Sequence, residues 1–405
     1  MRGKSVCPGF WLVFRREVRW LIRRPFLVLL SSIIPVTIFL VLASIYARGI
    51  ATELPIAVLD QDDSPGSRRI VRLIDAAPDI RITTRVADLE DGRRGILSGS
   101  YQGLLLVPEN FTRDAIAGRR PEITFFYNTQ MMVAGNLSAR GVSSALPSIA
   151  LQVQAASRMA SGMTADQAAI AVQPVAMQTH GLFNPALDYS HFILAALVVV
   201  VLQLTTTLAT CYSVALDAET PHNLRILRRL GGGIVPAVLG KLLPLTIVAC
   251  LVHAVCDTLM FGYFGLPLDG TGWLLVLSAL VFLLSCQLLG AVAALFVRSP
   301  PPALSVVALT VSPSFGYLGV SFPREAMNAF SIWWGNIFPA THYVSLRVDQ
   351  TVRGAPVDVS MATLHHQLFY FAVTGLIFYL ILVRIRRKAA ASGAQPQGQA
   401  AAREE

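Results

Sequence analysis

Charged side chains are scarce in this sequence: only 14% of its 405 residues are Asp, Glu, Lys or Arg, whereas 54% are apolar. Soluble globular domains carry about 25% charged residues, so the composition excludes a chain that lies mainly in water. The formal net charge of +9 then indicates membrane orientation rather than a nucleic-acid surface, because Lys and Arg collect in the cytoplasmic loops of membrane proteins.

Cysteine pairs and enzyme motifs are also missing. The five cysteines include no C-x-x-C pair, and residues 47–190 contain none, so neither a cysteine metal site nor a disulfide framework is expected. The motifs H-E-x-x-H and G-x-S-x-G are absent. A phosphate-binding loop is absent too, since Lys241 has Val235 in the place of the first glycine and Leu242 in the place of the hydroxyl residue. We therefore expect no catalytic residue, no metal site and no cofactor bound by this chain.

Long apolar runs are what the sequence has instead. About 18 apolar residues with few charges are enough for a transmembrane helix, and six runs meet this length. Pro313 and Gly316 interrupt the fifth run, although neighbouring helices can satisfy the backbone groups that such residues free. The predicted spans are Phe26–Tyr46, His191–Ala215, Lys241–Phe264, Trp273–Val297, Pro302–Val320 and Leu364–Val383.

Basic residues predict the orientation of these spans. They cluster before the first span, between the second and third, and after the last, whereas residues 265–272 contain none. The positive-inside rule therefore places both termini and residues 219–231 in the cytoplasm. Residues 384–405 read as a cytoplasmic tail that is first basic and then disordered. The basic clusters contain Arg15, Arg16, Arg19, Arg23, Arg24, Arg225, Arg228, Arg229, Arg384, Arg386, Arg387 and Lys388.

Residues 1–25 predict an amphipathic helix on the cytoplasmic membrane surface, because basic and apolar rows recur at helical spacing. An alternative stays open in which Trp11 and Trp20 only anchor the first span. The first span, 26–46, is longer than a secretory signal core and is expected to be retained. The basic row is Arg15, Arg19 and Arg23, and the apolar row includes Phe14 and Val18.

The region 47–190, between the first and second spans, is long enough for a core of its own. Its short runs of branched and aromatic residues predict strands, with helical periodicity between them. The expected result is an external α/β domain, followed from 129 to about 177 by long helices. The predicted strands are 54–60, 80–85, 103–108 and 122–128, and the predicted helices are 67–77, 87–98 and 109–118.

An acidic turn follows the first of these strands. The stretch Asp60–Arg69 has three carboxylates in four residues, but Pro65 stands where a calcium loop needs glycine. We interpret it as a strand-to-helix turn, with Asp63 or Ser64 as the N-cap and Pro65 at the first helical position.

Residues 219–231 predict a short amphipathic helix between the second and third spans. Thr220 is a suitable N-cap, Pro221 suits the first helical position, and Gly231 suits a left-handed C-terminal position. Three leucines at three-residue spacing give it an apolar side: Leu224, Leu227 and Leu230. The alternative is a basic loop at the lipid headgroups.

Two ionisable residues lie within the third span. His253 and Asp257 are four residues apart, which places them on one helix face and within reach of each other. Because unpaired ionisable groups cost several kcal/mol in hydrocarbon, such groups face a partner or a water-filled path. A structural pair that also holds Gln203 or Gln287, a lining of the substrate path, and a proton relay all stay open. We expect Asp257→Asn to be better tolerated than Asp257→Leu.

The overall pattern, an α-helical polytopic membrane protein with six transmembrane helices and an α/β domain inserted between helices 1 and 2, resembles the permease subunits of bacterial type-2 ABC exporters. Four segments carry the resemblance: "PIAVLDQDDSPGSRR", "GRRGILSGSYQGLLLVPENFTRD", "LGKLLP" and "FPREAMNAFSIWWGNIFPATHYVSLRV". The last keeps several family positions in register: Phe322, Pro323, Met327, Trp334, Pro339, Thr341, Tyr343 and Arg347.

The resemblance implies a function. Such a permease would move a substrate, such as a drug or lipid-like amphiphile, out across the bacterial inner membrane by alternating access. ATP and Mg²⁺ would be bound by a separate cytoplasmic ABC ATPase, and a second permease would complete a homodimer or heterodimer. Membrane lipids would surround it, and a periplasmic adaptor is a further candidate partner. The alternative is a membrane-anchored periplasmic binding or sensor protein that recruits a partner without transport.

Within this resemblance, the helix at 219–231 would dock in a cleft of the ATPase. The predicted docking residues are Asn223, Leu224, Leu227 and Leu230. Their surroundings depart from the family pattern: a family glutamate is replaced by Arg225, and the usual proline by Gly231.

Overall fold

The computed structural model describes residues 9–47, 49–117, 119, 121–129, 131–160, 184 and 188–393. The chain divides into two compact units, one formed by Met1–Gly49 with Leu182–Glu405 and the other by Ile50–Gly181. Each unit has its own hydrophobic core. Within the long helices expected between 129 and 177, the structure describes the helix Met132–Ala160, and the rest of that prediction lies outside the described residues.

The first unit begins with two helices. Helix α1 (Phe10–Arg23) ends where Arg24 turns to an extended backbone, because a residue before proline is disfavoured in the helical region. Pro25 then starts α2 (Pro25–Ile45), which contains a π-helical turn at Leu29–Ile33.

The second unit is an α/β fold with a four-stranded mixed sheet in the order β2-β1-β3-β4. The first three strands are parallel and β4 is antiparallel to β3. All four strands and the first three helices lie within two residues of the predicted bounds. The elements are β1 (Leu54–Asp60), α3 (Pro65–Asp75), β2 (Ile80–Arg85), α4 (Leu89–Leu97), β3 (Gly103–Val107), α5 (Phe111–Ile116), β4 (Thr124–Tyr127) and α6 (Met132–Ala160).

Helices cover both faces of this sheet. Alternate residues of a strand point to opposite faces, so Ile56 and Val58 pack with α3, α5 and α6, whereas Ala57 and Leu59 pack on the side of α4.

The acidic turn is a helix cap. Ser64 accepts a hydrogen bond from the Ser67 backbone N–H at 3.1 Å, and Pro65 starts α3, as the sequence predicts. Asp62 accepts hydrogen bonds from Ser64 Oγ and Thr112 Oγ1 at 2.6 and 2.7 Å. Burial acts to raise the pKa of Asp62, but these hydrogen bonds outweigh it and the pKa is lowered.

The first unit continues with mostly long helices. Among the described residues, five helices are long and apolar enough to cross a membrane: α2 and those beginning at Ser190, Ile234, Gly272 and Val357. Pro244 lies inside the second of these last four. The helices in order are α7 (Ser190–Ala218), α8 (Pro221–Gly231), α9 (Ile234–Gly262), α10 (Gly272–Val297), α11 (Pro300–Val311), α12 (Ala329–Gly335), α13 (Pro339–Thr351) and α14 (Val357–Gly393).

The predicted fifth span, 302–320, is not one continuous helix, so six regular spans are not observed. The 12-residue α11 gives way to the 3₁₀ turn Ser312–Tyr317. Pro313 lacks the backbone N–H of an α-helix and restricts the residue before it, which accounts for the change at this point.

The last span is longer than predicted. The basic residues from Arg384 to Lys388 continue α14, which runs to Gly393. Residues 394–405 of the predicted tail lie outside the described residues.

Candidate functional site

Helix α8 lies between two candidate spans and has defined ends. The Thr220 side chain accepts a hydrogen bond from the Asn223 backbone N–H at 3.3 Å, and Pro221 follows at the first position. The left-handed residue at the other end is Gly232, with φ of 70°. The prediction of Gly231 for that position is wrong, because Gly231 remains in the helix. The helix therefore ends one residue later than the prediction for Gly231 implies.

The leucine side of α8 packs against its own chain. Leu227 is 7% exposed and packs with Val13 of α1 and Ala237 of α9, and the half-buried Leu230 joins them. Leu224 is a partly buried member of the core shared by α7, α10 and α14.

Asn223 also turns toward its own chain, since its amide donates to the Leu216 carbonyl at 3.5 Å. The four residues predicted to dock in an ATPase all make contacts within the chain. In the structure the leucine row faces the chain itself, and the docking of these four residues in an ATPase stays a prediction.

The exposed side of α8 is basic. Ile226 is its one large apolar residue with a notable exposed fraction, 39%. The exposed polar residues are His222, Arg225, Arg228 and Arg229. The sequence carries part of this information, because His222, Arg225 and Arg229 fall opposite the leucine row on a 3.6-residue helix, whereas Arg228, four residues after Leu224, lies at the edge of that row.

Helix α1 braces this region at very short range. The Gly9 backbone N–H donates to the Leu230 carbonyl at 2.8 Å. A Cβ atom on Gly240 would lie 2.9 Å from the Phe10 carbonyl and from Val13 Cβ, closer than side chains normally approach, so only glycine lets α1 cross α9 here.

Four charged residues meet beside this crossing, and we call them the Lys241 network: Arg16, Glu17, Asp217 and Lys241. Lys241 Nζ lies 2.6 Å from Asp217 Oδ2 and 3.1 Å from Glu17 Oε2. Arg16 lies 2.7 Å from Asp217 Oδ1 and 2.8 Å from Glu17 Oε1. The network joins α1, α7 and α9, the three helices that contact α8.

The Lys241 network is buried except at Arg16. Glu17, Asp217 and Lys241 are each 4% exposed, and only Arg16 reaches the surface. Its burial acts to lower the pKa of Arg16, but Asp217 and Glu17 outweigh this and the pKa is raised. Two cations therefore balance two carboxylates. Removing one partner from such a buried group costs about 3–5 kcal/mol.

A second cluster, the Arg347 network, consists of His253, Asp257, Tyr343 and Arg347. His253 Nδ1 lies 3.2 Å from Asp257 Oδ2, so the structure brings the predicted pair together. Arg347 Nη2 lies 2.7 Å from Asp257 Oδ1. The Tyr343 hydroxyl lies 2.9 Å from His253 Nε2 and accepts a hydrogen bond from Arg347 Nη1 at 3.2 Å. This network joins α9 to α13.

The proposed glutamine partners lie elsewhere. Gln203 donates to Ser314 Oγ and accepts from the Ala340 backbone N–H, and Gln287 accepts from Thr246 Oγ1. Neither joins the His253–Asp257 pair. Metal-type clusters of three or more His, Cys, Asp or Glu side chains are not found in the part of the chain that the structure describes.

Several residues of the two networks were not predicted from the sequence alone. Glu17 stands among arginines in an amphipathic helix, and Asp217 stands near the end of an apolar run. An acidic residue in such a place signals a buried cation partner, although not which one. Tyr343 and Arg347 are spaced four apart, the same signal that identified His253 and Asp257.

Comparison with known proteins gives one consistent result. The family model described as "ABC-2 family transporter protein" matches residues 25–384. The inner membrane transport permease YhhJ of Escherichia coli (strain K12) is 25% identical over 365 residues, covering 88% of this chain and 93% of the relative. The permease of the same name in Shigella flexneri matches with the same values.

Proposed function

Because the chain belongs to the ABC-2 family of transporter proteins, we propose that it is the permease subunit of an ATP-driven exporter in a bacterial inner membrane. A separate ABC ATPase binds ATP and Mg²⁺, and a second permease completes the translocation path. The substrate is a drug- or lipid-like amphiphile, because a path between apolar helices suits molecules with apolar parts.

One observation carries this proposal: α8 is tied tightly to the spans on both sides. Two residues separate it from α7, and two separate it from α9. The Lys241 network links the ends of the same two helices. Links this short do not absorb a displacement, so a partner that moves α8 also moves the spans. This is the mechanical requirement for ATP binding at the cytoplasmic surface to switch the path between inward and outward exposure.

The proposed topology keeps six crossings with both termini in the cytoplasm and the unit Ile50–Gly181 in the periplasm. Helix α11 contributes about 18 Å at 1.5 Å per residue, and the 3₁₀ turn after it adds about 12 Å at 2.0 Å per residue. Together they match the roughly 30 Å of a hydrocarbon core, so this broken segment is long enough to serve as the fifth crossing. A periplasmic adaptor would bind the α/β unit.

Co-purification tests the proposal. The tagged chain is expressed in its native host, purified in mild detergent, and its partners are identified by mass spectrometry. We expect an ABC ATPase in the complex, and ATP hydrolysis by the complex but not by the chain alone. Reconstituted vesicles should then export an amphiphile only with ATP. A complex with periplasmic proteins and no ATPase would favour the membrane-anchored binding protein instead, and hydrolysis by the pure chain would refute the assignment.

A further inference from the structure

The sheet of the α/β unit has two edge strands, β2 and β4. An edge strand presents backbone N–H and C=O groups to which a further strand can bind, and proteins commonly protect such edges with charged residues, bulges or covering side chains. The two edges of this sheet differ in that protection. The difference points to a binding surface on one of them.

Strand β2 is protected in three ways. The Ile82 backbone N–H donates to Asp75 Oδ1 at 2.7 Å, so a side chain occupies this donor. The register with β1 skips Thr83, as in a β-bulge, which bends a strand locally. Arg81 and Arg85 are exposed on the same strand. These features hinder the addition of another strand to β2.

Strand β4 has an open edge. The stretch Ile123–Asn128 contains no charged residue and no proline. The Asn128 backbone N–H donates to the Gln102 carbonyl, on the β3 side, at 2.9 Å. Because backbone groups alternate in direction along an antiparallel strand, those of Phe125 and Tyr127 point away from β3. Among the described residues, no strand pairs with this outer side.

The side chains of β4 indicate which kind of strand fits it. Phe126 and Tyr127 are 43% and 40% exposed, and aromatic pairs across antiparallel strands stabilise a sheet. When a strand pairs with its own copy about a two-fold axis, the same side chains come together and like charges repel. Strand β4 has no such charges, whereas β2 carries Arg81 and Arg85. Strand β4 is therefore suited to pair with itself.

The directions of the backbone groups determine the register of this pairing. Both outward-pointing residues of β4 are hydrogen-bonded when Phe125 of one copy lies opposite Tyr127 of the other. This register places the two Phe126 residues opposite each other as a pair without direct hydrogen bonds, with Cα atoms about 4.5 Å apart. On the other face, Phe125 and Tyr127 stack with ring centroids 6.0 Å apart and would contact the same two rings of the copy.

We propose that β4 pairs antiparallel with β4 of a second copy of this chain, so that two four-stranded sheets form one sheet of eight strands with the Phe126 pair on the two-fold axis. This inference rests on the proposed function, because it takes the second permease to be a second copy of the same chain. The contact is short, so it acts together with contacts elsewhere in the dimer.

Disulfide trapping of Phe126→Cys tests the inference. The variant is made in the full-length chain, in which residues 47–190 have no native cysteine. Membranes are treated with a mild copper oxidant, and disulfide-linked dimer is quantified on a non-reducing gel. Since Cα atoms about 4.5 Å apart suit a disulfide, we expect at least about tenfold more linked dimer than for wild type.

Two cysteine variants are matched controls. Thr84→Cys lies on β2, and the two copies of this residue would be seven strand spacings, or about 34 Å, apart. Phe125→Cys would lie about 8–9 Å from its own copy, too far for a disulfide. Both should give no more linked dimer than wild type. Equal linkage of Thr84→Cys and Phe126→Cys would indicate random collision, and stronger linkage of Phe125→Cys would indicate another register; either result overturns the proposal.

A second pair of variants tests the backbone hydrogen bonds. Tyr127→Pro and Tyr127→Ala are each combined with Phe126→Cys. Both lose the aromatic ring, but only proline removes the N–H that points toward the copy, and neither changes an N–H that pairs with β3. Linked dimer should fall severalfold for the proline variant relative to the alanine variant. Equal linkage at equal unfolding temperatures would contradict strand pairing.

The outcomes distinguish this inference from the proposed function. If wild type retains an ABC ATPase but Phe126→Cys gives no linked dimer above the wild-type level, the pairing is refuted and the permease assignment stands. If linked dimer forms but no ATPase is retained, the pairing stands and the proposed function fails. If Phe126→Cys links instead to a different permease or to a periplasmic protein, pairing with a second copy is overturned.

Discussion

The Lys241 and Arg347 networks lie on the same helix, yet they are built differently. Lys241 and Asp257 are about 24 Å apart along α9 at 1.5 Å per residue. The Lys241 network opposes two cations to two carboxylates drawn from three helices. The Arg347 network has one carboxylate and one guanidinium, and its other two members, a histidine and a tyrosine, supply hydrogen bonds.

This difference predicts how much stability each network loses when one of its residues is replaced. When a network is held by formal charge alone, losing one ion strands the others in a buried place, which is costly. When neutral groups share the contacts, losing one of them removes a hydrogen bond worth about 1 kcal/mol. Loss of any one member should therefore strongly lower the stability of the Lys241 network, whereas for the Arg347 network the loss of stability should depend on which member is removed.

Lys241→Met should have the largest effect, because Glu17 and Asp217 would share a single cation. We expect a loss of about 3–5 kcal/mol of stability, measured as a lower unfolding temperature in detergent. Lys241→Arg is the matched control, since it keeps the charge and a cavity of about 40 Å³ beside Lys241 gives room for a larger group. Equal unfolding temperatures for the Met and Arg variants would show that the charge at this position is unimportant.

Asp257→Leu should have the next largest effect. It would leave Arg347, which is 2% exposed, without a counter-charge, but the partial exposure of Asp257 lets water reduce the cost to about 3 kcal/mol. Asp257→Asn keeps an oxygen that accepts from Arg347, so its loss should be about 1 kcal/mol. Unfolding temperature and export are measured for both. If the two variants behave alike and match wild type, Asp257 has no interior role.

Tyr343→Phe should have the smallest effect. It removes the hydroxyl shared by His253 and Arg347 but keeps the ring, which stacks on Phe282 with centroids 4.6 Å apart. A decrease of about 1 kcal/mol is expected. A decrease as large as that of Asp257→Leu would contradict the prediction that the loss of stability depends on which member of this network is removed.

The sequence predicted the α/β unit well because its signals are local. Strand-length runs such as 54–60 are bounded by caps and turns, and each boundary depends on a few adjacent residues, as at Ser64 and Pro65. The break in the segment 302–320 was harder to predict, since hydropathy reports the length and composition of an apolar run but not whether its backbone stays α-helical.

The sites were predicted only in part, for a physical reason. Spacing within one helix identifies His253 with Asp257, whereas Glu17 and Lys241 are 224 residues apart and only the packing of α1 brings them together. The same packing turned the leucines of α8 inward. Periodicity shows which side of a helix is apolar, but not whether that side is covered by a partner or by another helix of the same chain.

Pro244 gives α9 an unusual mechanical character. It lies between the two networks and has no N–H to donate to the Gly240 carbonyl, so the helix is least stiff there. We infer that α9 consists of two helical segments that bend relative to each other at Pro244. One segment is fixed by the contacts of Lys241 and the other by the contacts of Arg347. Pro244→Ala should make the helix stiffer, raising the unfolding temperature while slowing the proposed ATP-driven export; faster export with a lower unfolding temperature would rule out bending at this residue. Bending at this single point would let a push on α8 tilt one end of α9 while the other end stays in place.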